Sequence, residues 1–518
     1  MSLHPALAWV AAPLLVLGFA ASRLCAAGPA AQVFGQLNDG SCLRQGTDRV
    51  SFSTDFPGTE REAPEGEALR LVLVGFVAAP WVRVSTRQAS GAPLDSLDSL
   101  SLVASACPPR EAPGSCWATP PLRLAPDPLD RAYDPVRGRS LEAELGGELQ
   151  VEVGGRPIGA WRVGAPHSRL FAGFSRLSAR LRVRILRVAP GGMPAIGGDA
   201  GAALQLARNE VLAASKLWAQ CGVDLQGLAG VDIQVVDPPP VQLLAVGCDN
   251  GLPASGGQVS FRARGQRVRV ATHAEESPRV VAQHIANALR GLGLNAQLSP
   301  NQRTSSGASG AFDVLVRGAH ASAVSITPDP DPHLPLSQDP TLNVCLGEVD
   351  LSNGLSHFVE DDAAAGTIEE RALIKAFDDG DPSTIEVFIV PSFDQSGRIG
   401  ESFIDDDGAG VQNTVIIDRA ALRAGPRSNA LAHELGHILL DMPGHPDDYG
   451  VDQASSLMDS DASDASVFGP RRLSLADCER MLRESGPDAR APLLQSWSLA
   501  PLSPLDGPAL AKPPSAAR

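Results

Sequence analysis

Ala432-His433-Glu434-Leu435-Gly436-His437-Ile438-Leu439-Leu440-Asp441-Met442-Pro443-Gly444-His445 gathers three of the ten histidines of a 518-residue chain. On an α-helix His433 and His437 lie four positions apart, so both imidazoles leave one face about a turn from each other and can hold one metal ion. Glu434 stands beside them. This is the H-E-x-x-H pattern, in which two neutral imidazoles bind zinc and the glutamate takes a proton from water that the metal has activated. The helix expected over 429–440 is apolar on most sides, which predicts burial. Buried His and Glu side chains need partners, and a metal supplies them.

The helix is expected to end near Asp441. Met442-Pro443-Gly444 carries a proline that disfavours helix before it and a glycine suited to a left-handed turn. A chain that reverses there returns His445 toward the pair as a candidate third ligand. Ser456-Leu457-Met458-Asp459 follows after a short loop, and Leu473–Arg483 reads as a closing amphipathic helix with Ser474 at its cap.

In order and spacing these residues resemble the metzincin clan of zinc metallopeptidases. The resemblance implies a zinc ion held by His433, His437 and His445, Glu434 as the general base, and Met458 in a methionine turn under the metal. The longer clan motif has a glycine and a third ligand at the third and sixth positions after the second histidine. Here those positions are Leu440 and Pro443, and the histidine comes at the eighth. Asp441 and Glu479 are the acidic alternatives to His445 as third ligand. Tyr449, one of two tyrosines, is a candidate for stabilising the oxyanion.

Working outward toward the amino end, Thr384–Val390 reads as a nearly continuous apolar strand and Asn413–Asp418 as another. Gly397–Ile404 resembles the edge strand that pairs with extended substrate in metallopeptidases of this type. Ala179–Val188 alternates apolar residues with arginines, as a half-exposed strand would. A helix is expected over Ala202–Gln220, ended by Cys221-Gly222, and then a strand over Val231–Val236. Residues 240–365 read as an inserted α/β lobe, with a hairpin over Gln258–Thr272, a helix over Pro278–Leu292 and strands at Ala311–Arg317 and Ala323–Thr327. His273, His284, His320, His333 and His357 are scattered through it without ligand spacing. Calcium is a candidate at Asp405-Asp406-Asp407 and at Asp459, Asp461 and Asp464, although such acidic runs are also ordinary solvated loops.

Residues 31–172 alternate short β-like runs with turn residues, among them Ala68–Val77, Trp81–Thr86 and Glu148–Gly155, which predicts a β-sandwich or barrel. Residues 1–30 read as a secretory signal peptide, with an uncleaved membrane anchor or lipidation at Cys25 as alternatives. Residues 489–518, rich in Pro and Ala, read as a flexible tail. Removal of Cys25 would leave seven cysteines and hence a free thiol. The local pairs Cys107 with Cys116 and Cys221 with Cys248 are the expected disulfides.

The fold class expected is α+β: a metzincin-like metallopeptidase domain over 173–488 with the inserted lobe, preceded by a β-sandwich-like domain. A net charge of −16 argues against nucleic acid or an anionic membrane surface as partner. The function expected is a secreted or cell-envelope zinc endopeptidase acting on protein or peptide. The alternative is an exported β-rich binding or surface protein whose zinc site is structural or idle.

Overall fold

The computed structural model describes residues 32–498 except 37–41, 44, 47, 52–68, 106–115, 126–138, 165–174, 226–230, 302–309, 330–334, 359–365, 396, 405–410, 423–428, 451–455 and 461–472. The fold is mixed α+β. Five α-helices are described: α1 (Ala200–Trp218), α2 (Pro278–Gly291), α3 (Ile368–Phe377), α4 (Ala430–Leu440) and α5 (Leu475–Ser485). The signal-peptide reading, His333, Cys107 and the Asp405–Asp407, Asp461 and Asp464 candidates lie outside the described residues.

Thr384–Val390 is buried at all seven positions because its sheet is covered on both faces. Ile385, Val387 and Ile389 enter one core with Trp218, Leu435 and Met458. Phe388 and Val390 enter another with Leu373 of α3 and Phe403. Ser175–Leu186 and Thr414–Asp418 run parallel to this strand on its two sides. Asp232–Val236 extends the sheet in parallel beyond the first. Gly400–Phe403 pairs antiparallel with Thr414–Asp418, Gly400 opposite Ile417, and forms the sheet's edge.

The amino-terminal strands form two five-stranded sheets and a two-stranded one. Alternate residues, Val33, Leu71 and Leu73 from one sheet and Val82, Val84, Leu149, Val151 and Trp161 from the other, share one core, which is sandwich packing. Between Asp232–Val236 and α3 the chain forms a four-stranded and a three-stranded antiparallel sheet with α2 in their common core. The hairpin falls at Gly257–Ala263 and Gln266–Thr272, and α2 begins at a Ser277 cap that accepts from the Val280 N–H. The joint between this region and α3 is charged and buried. Arg371 Nε and Lys375 Nζ both reach Asp313 Oδ2, at 2.8 and 2.9 Å, with none of the three side chains more than 5% exposed.

Several expectations need correction. Ser175–Leu186 is half-exposed only in part: Arg180 is exposed as expected, but Arg184 is 3% exposed and paired to Asp232 at 2.7 Å, and Arg182 reaches Asp379 at 3.3 Å and also Glu386, so toward its carboxyl end the charged face is covered by ion pairing. Cys221 pairs with Cys478 and Cys248 with Cys345. Nearness in sequence is the wrong guide here. Cys221 ends α1 against the side of α5, while Cys345 lies on the strand beside Leu243–Val246. Cys42 and Cys116 are also disulfide-bonded, and among the described residues no cysteine is free. Leu494–Ser498 is not tail but a strand antiparallel to Ser175–Ala179. The disulfides fit an oxidising, extracellular compartment. No described helix is long and apolar enough to cross a membrane.

Asp313→Asn leaves two buried cations with a neutral partner, and such a loss costs about 3–5 kcal/mol. The variant is expected to unfold at a clearly lower urea concentration than the wild type. An unchanged midpoint would show that the joint carries no stability.

Candidate metal centre

All eleven residues of α4 are buried. Its neighbours account for this: α1 presents Trp218, whose indole Nε1–H donates to the Ala432 carbonyl at 3.0 Å, and α5 closes the far end. The carbonyls of the last turn, which a helix leaves without partners, are met from α5. Arg480 donates to Leu440 O and Asp441 O at 2.6 and 2.7 Å, and the Ser485 hydroxyl donates to Leu439 O at 2.9 Å. Asp441 itself takes the left-handed conformation, φ 48°, that stops the helix; the expectation had given that turn to Gly444.

The reversal brings His445 back over the helix. His433 Nε2 lies 3.2 Å from His437 Nε2 and 3.2 Å from His445 Nε2. The three ligand atoms all fall within 4.8 Å of one another. Asp441 and Glu479 do not join this group, and His273, His284, His320 and His357 lie apart from it. His273 and His357 instead pair with Glu276 and Asp394.

Each ring is oriented from behind. His433 Nδ1 is 2.7 Å from the Leu457 carbonyl and His437 Nδ1 is 2.6 Å from the Met442 carbonyl. A carbonyl only accepts, so Nδ1 carries the hydrogen and Nε2 presents a lone pair. Asp448 Oδ2 accepts the His445 main-chain N–H at 2.8 Å and lies 3.3 Å from its Nδ1. Burial also pushes the His433 pKa down to about 4, keeping that ring neutral at neutral pH.

Three lone pairs converging in this way repel unless a cation lies between them. Nitrogens about 2.0–2.1 Å from a tetrahedral zinc stand about 3.3–3.4 Å apart, close to the spacing found here. The residues fit a zinc ion with three protein ligands. One side stays open: His433 and His437 are 8% and 7% exposed, whereas the His445 side chain is 28% exposed.

No family model and no curated protein matches this chain. The chemistry assigned to the centre rests on its own geometry.

Met458 sits beneath α4, 1% exposed, and leaves no space for a side chain at position 436: a Cβ on Gly436 would stand 2.1 Å from the Met458 sulfur. Asp459 is buried beside it. Tyr449 lies on the short 3₁₀ turn Asp447–Tyr449 after His445 and is 73% exposed. Its hydroxyl is close to Gly444, where an added Cβ would be 3.1 Å away.

Sequence reasoning missed the groups that support the site: Trp218, Arg480, Ser485, Gly400 and Ser402. None belongs to a local motif. Ser402 Oγ stands 2.6 Å from Glu434 Oε2, and a Cβ on Gly400 would lie 2.3 Å from Glu434 Oε1. On the other face of the same strand Glu401 is fully buried against Glu370, with Arg398 3.5 Å away. Burial, reinforced by Glu370, pushes the Glu401 pKa far above its ordinary 4.5, and burial raises Glu370 as well.

Two outcomes follow. Gly436→Ala forces Met458 and the turn that orients His433 to move. It is expected to cost about 1–3 kcal/mol and to lower metal occupancy, read by denaturant titration and elemental analysis. Glu401 ionises in the unfolded chain above about pH 4.5 but keeps its proton in the fold, so its contribution to stability declines as pH rises from there toward the raised folded-state pKa. Glu401→Gln is expected to be more stable than the wild type at pH 8 and similar to it at pH 5. Equal midpoints at both pH values would contradict a proton held at Glu401.

Proposed function

We propose that this chain is an exported zinc-dependent endopeptidase of metzincin-like type, acting on extended segments of protein or peptide. The observation that carries the reading is the convergence of three imidazole Nε2 atoms beside a glutamate whose carboxylate is held against the sheet's edge strand. A structural zinc site is usually closed by a fourth protein ligand, often cysteine. Among the described residues the cluster has three members, and none of them is a cysteine.

A zinc ion bound by His433, His437 and His445 supplies Lewis acidity and a water acidic enough to ionise near neutral pH. The chain's own residues do the rest. Leu457 O, Met442 O and Asp448 hold the three rings in the ligating tautomer. Glu434 accepts the proton of the attacking water on its carboxylate and delivers it to the leaving amine. The outer edge of Gly400–Phe403 has no strand partner among the described residues, and its main-chain N–H and C=O groups suit an extended peptide. Such bonding recognises backbone, so it admits many sequences. Tyr449, exposed on the turn that follows His445, is the candidate for approaching the oxyanion of a bound peptide.

The test is zinc content together with cleavage of casein, with and without 1,10-phenanthroline. One zinc per chain and chelator-sensitive cleavage are expected. Glu434→Gln is expected to retain zinc while activity falls about 10²–10⁴-fold. Full activity in that variant, or no zinc in the wild type, would sink the reading.

A further inference from the structure

A strand sends alternate side chains to opposite faces, so Gly400 and Ser402 point one way and Glu401 and Phe403 the other. Glu434 lies on the side of Gly400 and Ser402. The missing side chain of Gly400 makes room for Oε1, which a Cβ there would meet at 2.3 Å. Ser402 Oγ reaches both Oε2, at 2.6 Å, and the main-chain carbonyl oxygen of the same glutamate, at 2.9 Å. One hydroxyl, able to donate one hydrogen and to accept, therefore stands between two oxygens of a single residue.

We propose that Ser402 is a positioning residue for the general base, holding the Glu434 carboxylate in one orientation against the edge strand. This deepens the peptidase reading above and rests on it. With Glu434 ionised, the Ser402 O–H donates to Oε2. The Glu434 carbonyl oxygen is a second acceptor for the same hydroxyl, so Ser402 ties the carboxylate to its own main chain; Ser402 keeps its hydrogen throughout and takes no part in the proton transfer.

The other face of the strand gives this contact its rigidity. Glu401 is buried against Glu370, and the Phe403 ring packs edge-on to Phe358 with centroids 5.5 Å apart. Slipping the strand by one residue would turn Glu401 toward the metal centre and Ser402 away from it. The strand whose outer edge would take the peptide is thus the strand that holds the base. Peptide position and base position are set by one element.

The experiment compares wild type, Ser402→Ala and Ser402→Thr for zinc content, thermal midpoint, and kcat and KM on a quenched fluorescent peptide spanning a casein cleavage site. Ser402→Ala is expected to keep one zinc and a KM within about twofold, while kcat falls about 10–100-fold. Ser402→Thr, which keeps the hydroxyl, is expected to recover most of that loss. A Ser402→Ala enzyme with wild-type kcat overturns the proposal and leaves the peptidase reading standing. So does a loss that threonine does not recover, or one that follows lost zinc or a collapsed midpoint. A zinc-loaded wild type that cleaves nothing overturns the peptidase reading, and this proposal with it.

Discussion

With every residue from Ala430 to Leu440 buried, each polar group on that helix has to find its partner inside the protein. The Ala432 carbonyl takes a second bond from Trp218, the last carbonyls are met by Arg480 and Ser485, and Ser402 meets Glu434. These partners come from α1, from α5 and from the edge strand. The disulfide between Cys221 and Cys478 joins the end of α1 to α5 across 257 residues of chain. In the chain-entropy account, closing a loop of that size removes about 5 kcal/mol of unfolded-state freedom. The helix that carries the candidate ligands is therefore held by polar contacts to two elements that are themselves joined covalently.

The imidazoles are held by the same logic. Two of them are aimed by carbonyls that the turns after the helix supply, Met442 in one and Leu457 in the other. The third is brought over by the left-handed Asp441 and the reversal that follows. Those turns are packed by Met458, for which position 436 must be glycine. The ligand set, the methionine and the glycine form one packing problem with one solution.

Charge is buried elsewhere in the fold, each time with a different balance. Asp313 sits between Arg371 and Lys375 and has its counter-ions at hydrogen-bond distance. Arg184 has Asp232, and Arg182 has Asp379 and Glu386. The Glu401 and Glu370 pair faces a partly exposed cation, Arg398 at 3.5 Å from Glu401, which does not offset the burial of two carboxyls, and a proton is held there instead. That pair lies directly behind the strand that contacts Glu434.

The local patterns decided what they could. Four-residue spacing put His433 and His437 on one helical face, the apolar run of Thr384–Val390 marked a strand buried on both sides, and alternation in 31–172 marked the sheets of a sandwich. Ser474 marked a helix start, which the structure has as a capping box with Asp477. Each is a matter of periodicity or of bonds a few residues apart, and periodicity survives without tertiary context. What depended on the fold was which distant groups meet. That His445, and not Asp441 or Glu479, lies beside the pair follows from the reversal at Asp441. Arg180 faces solvent as its position suggested, but Arg182 and Arg184 read as solvent-facing until their carboxylates arrived from residues 232, 379 and 386. Cys221 found Cys478 because α1 and α5 both pack beside α4, and Ser402 reached Glu434 because the strand closing the sheet lies against the same helix. Such contacts are set by the packing of whole elements, and sequence spacing carries no record of them.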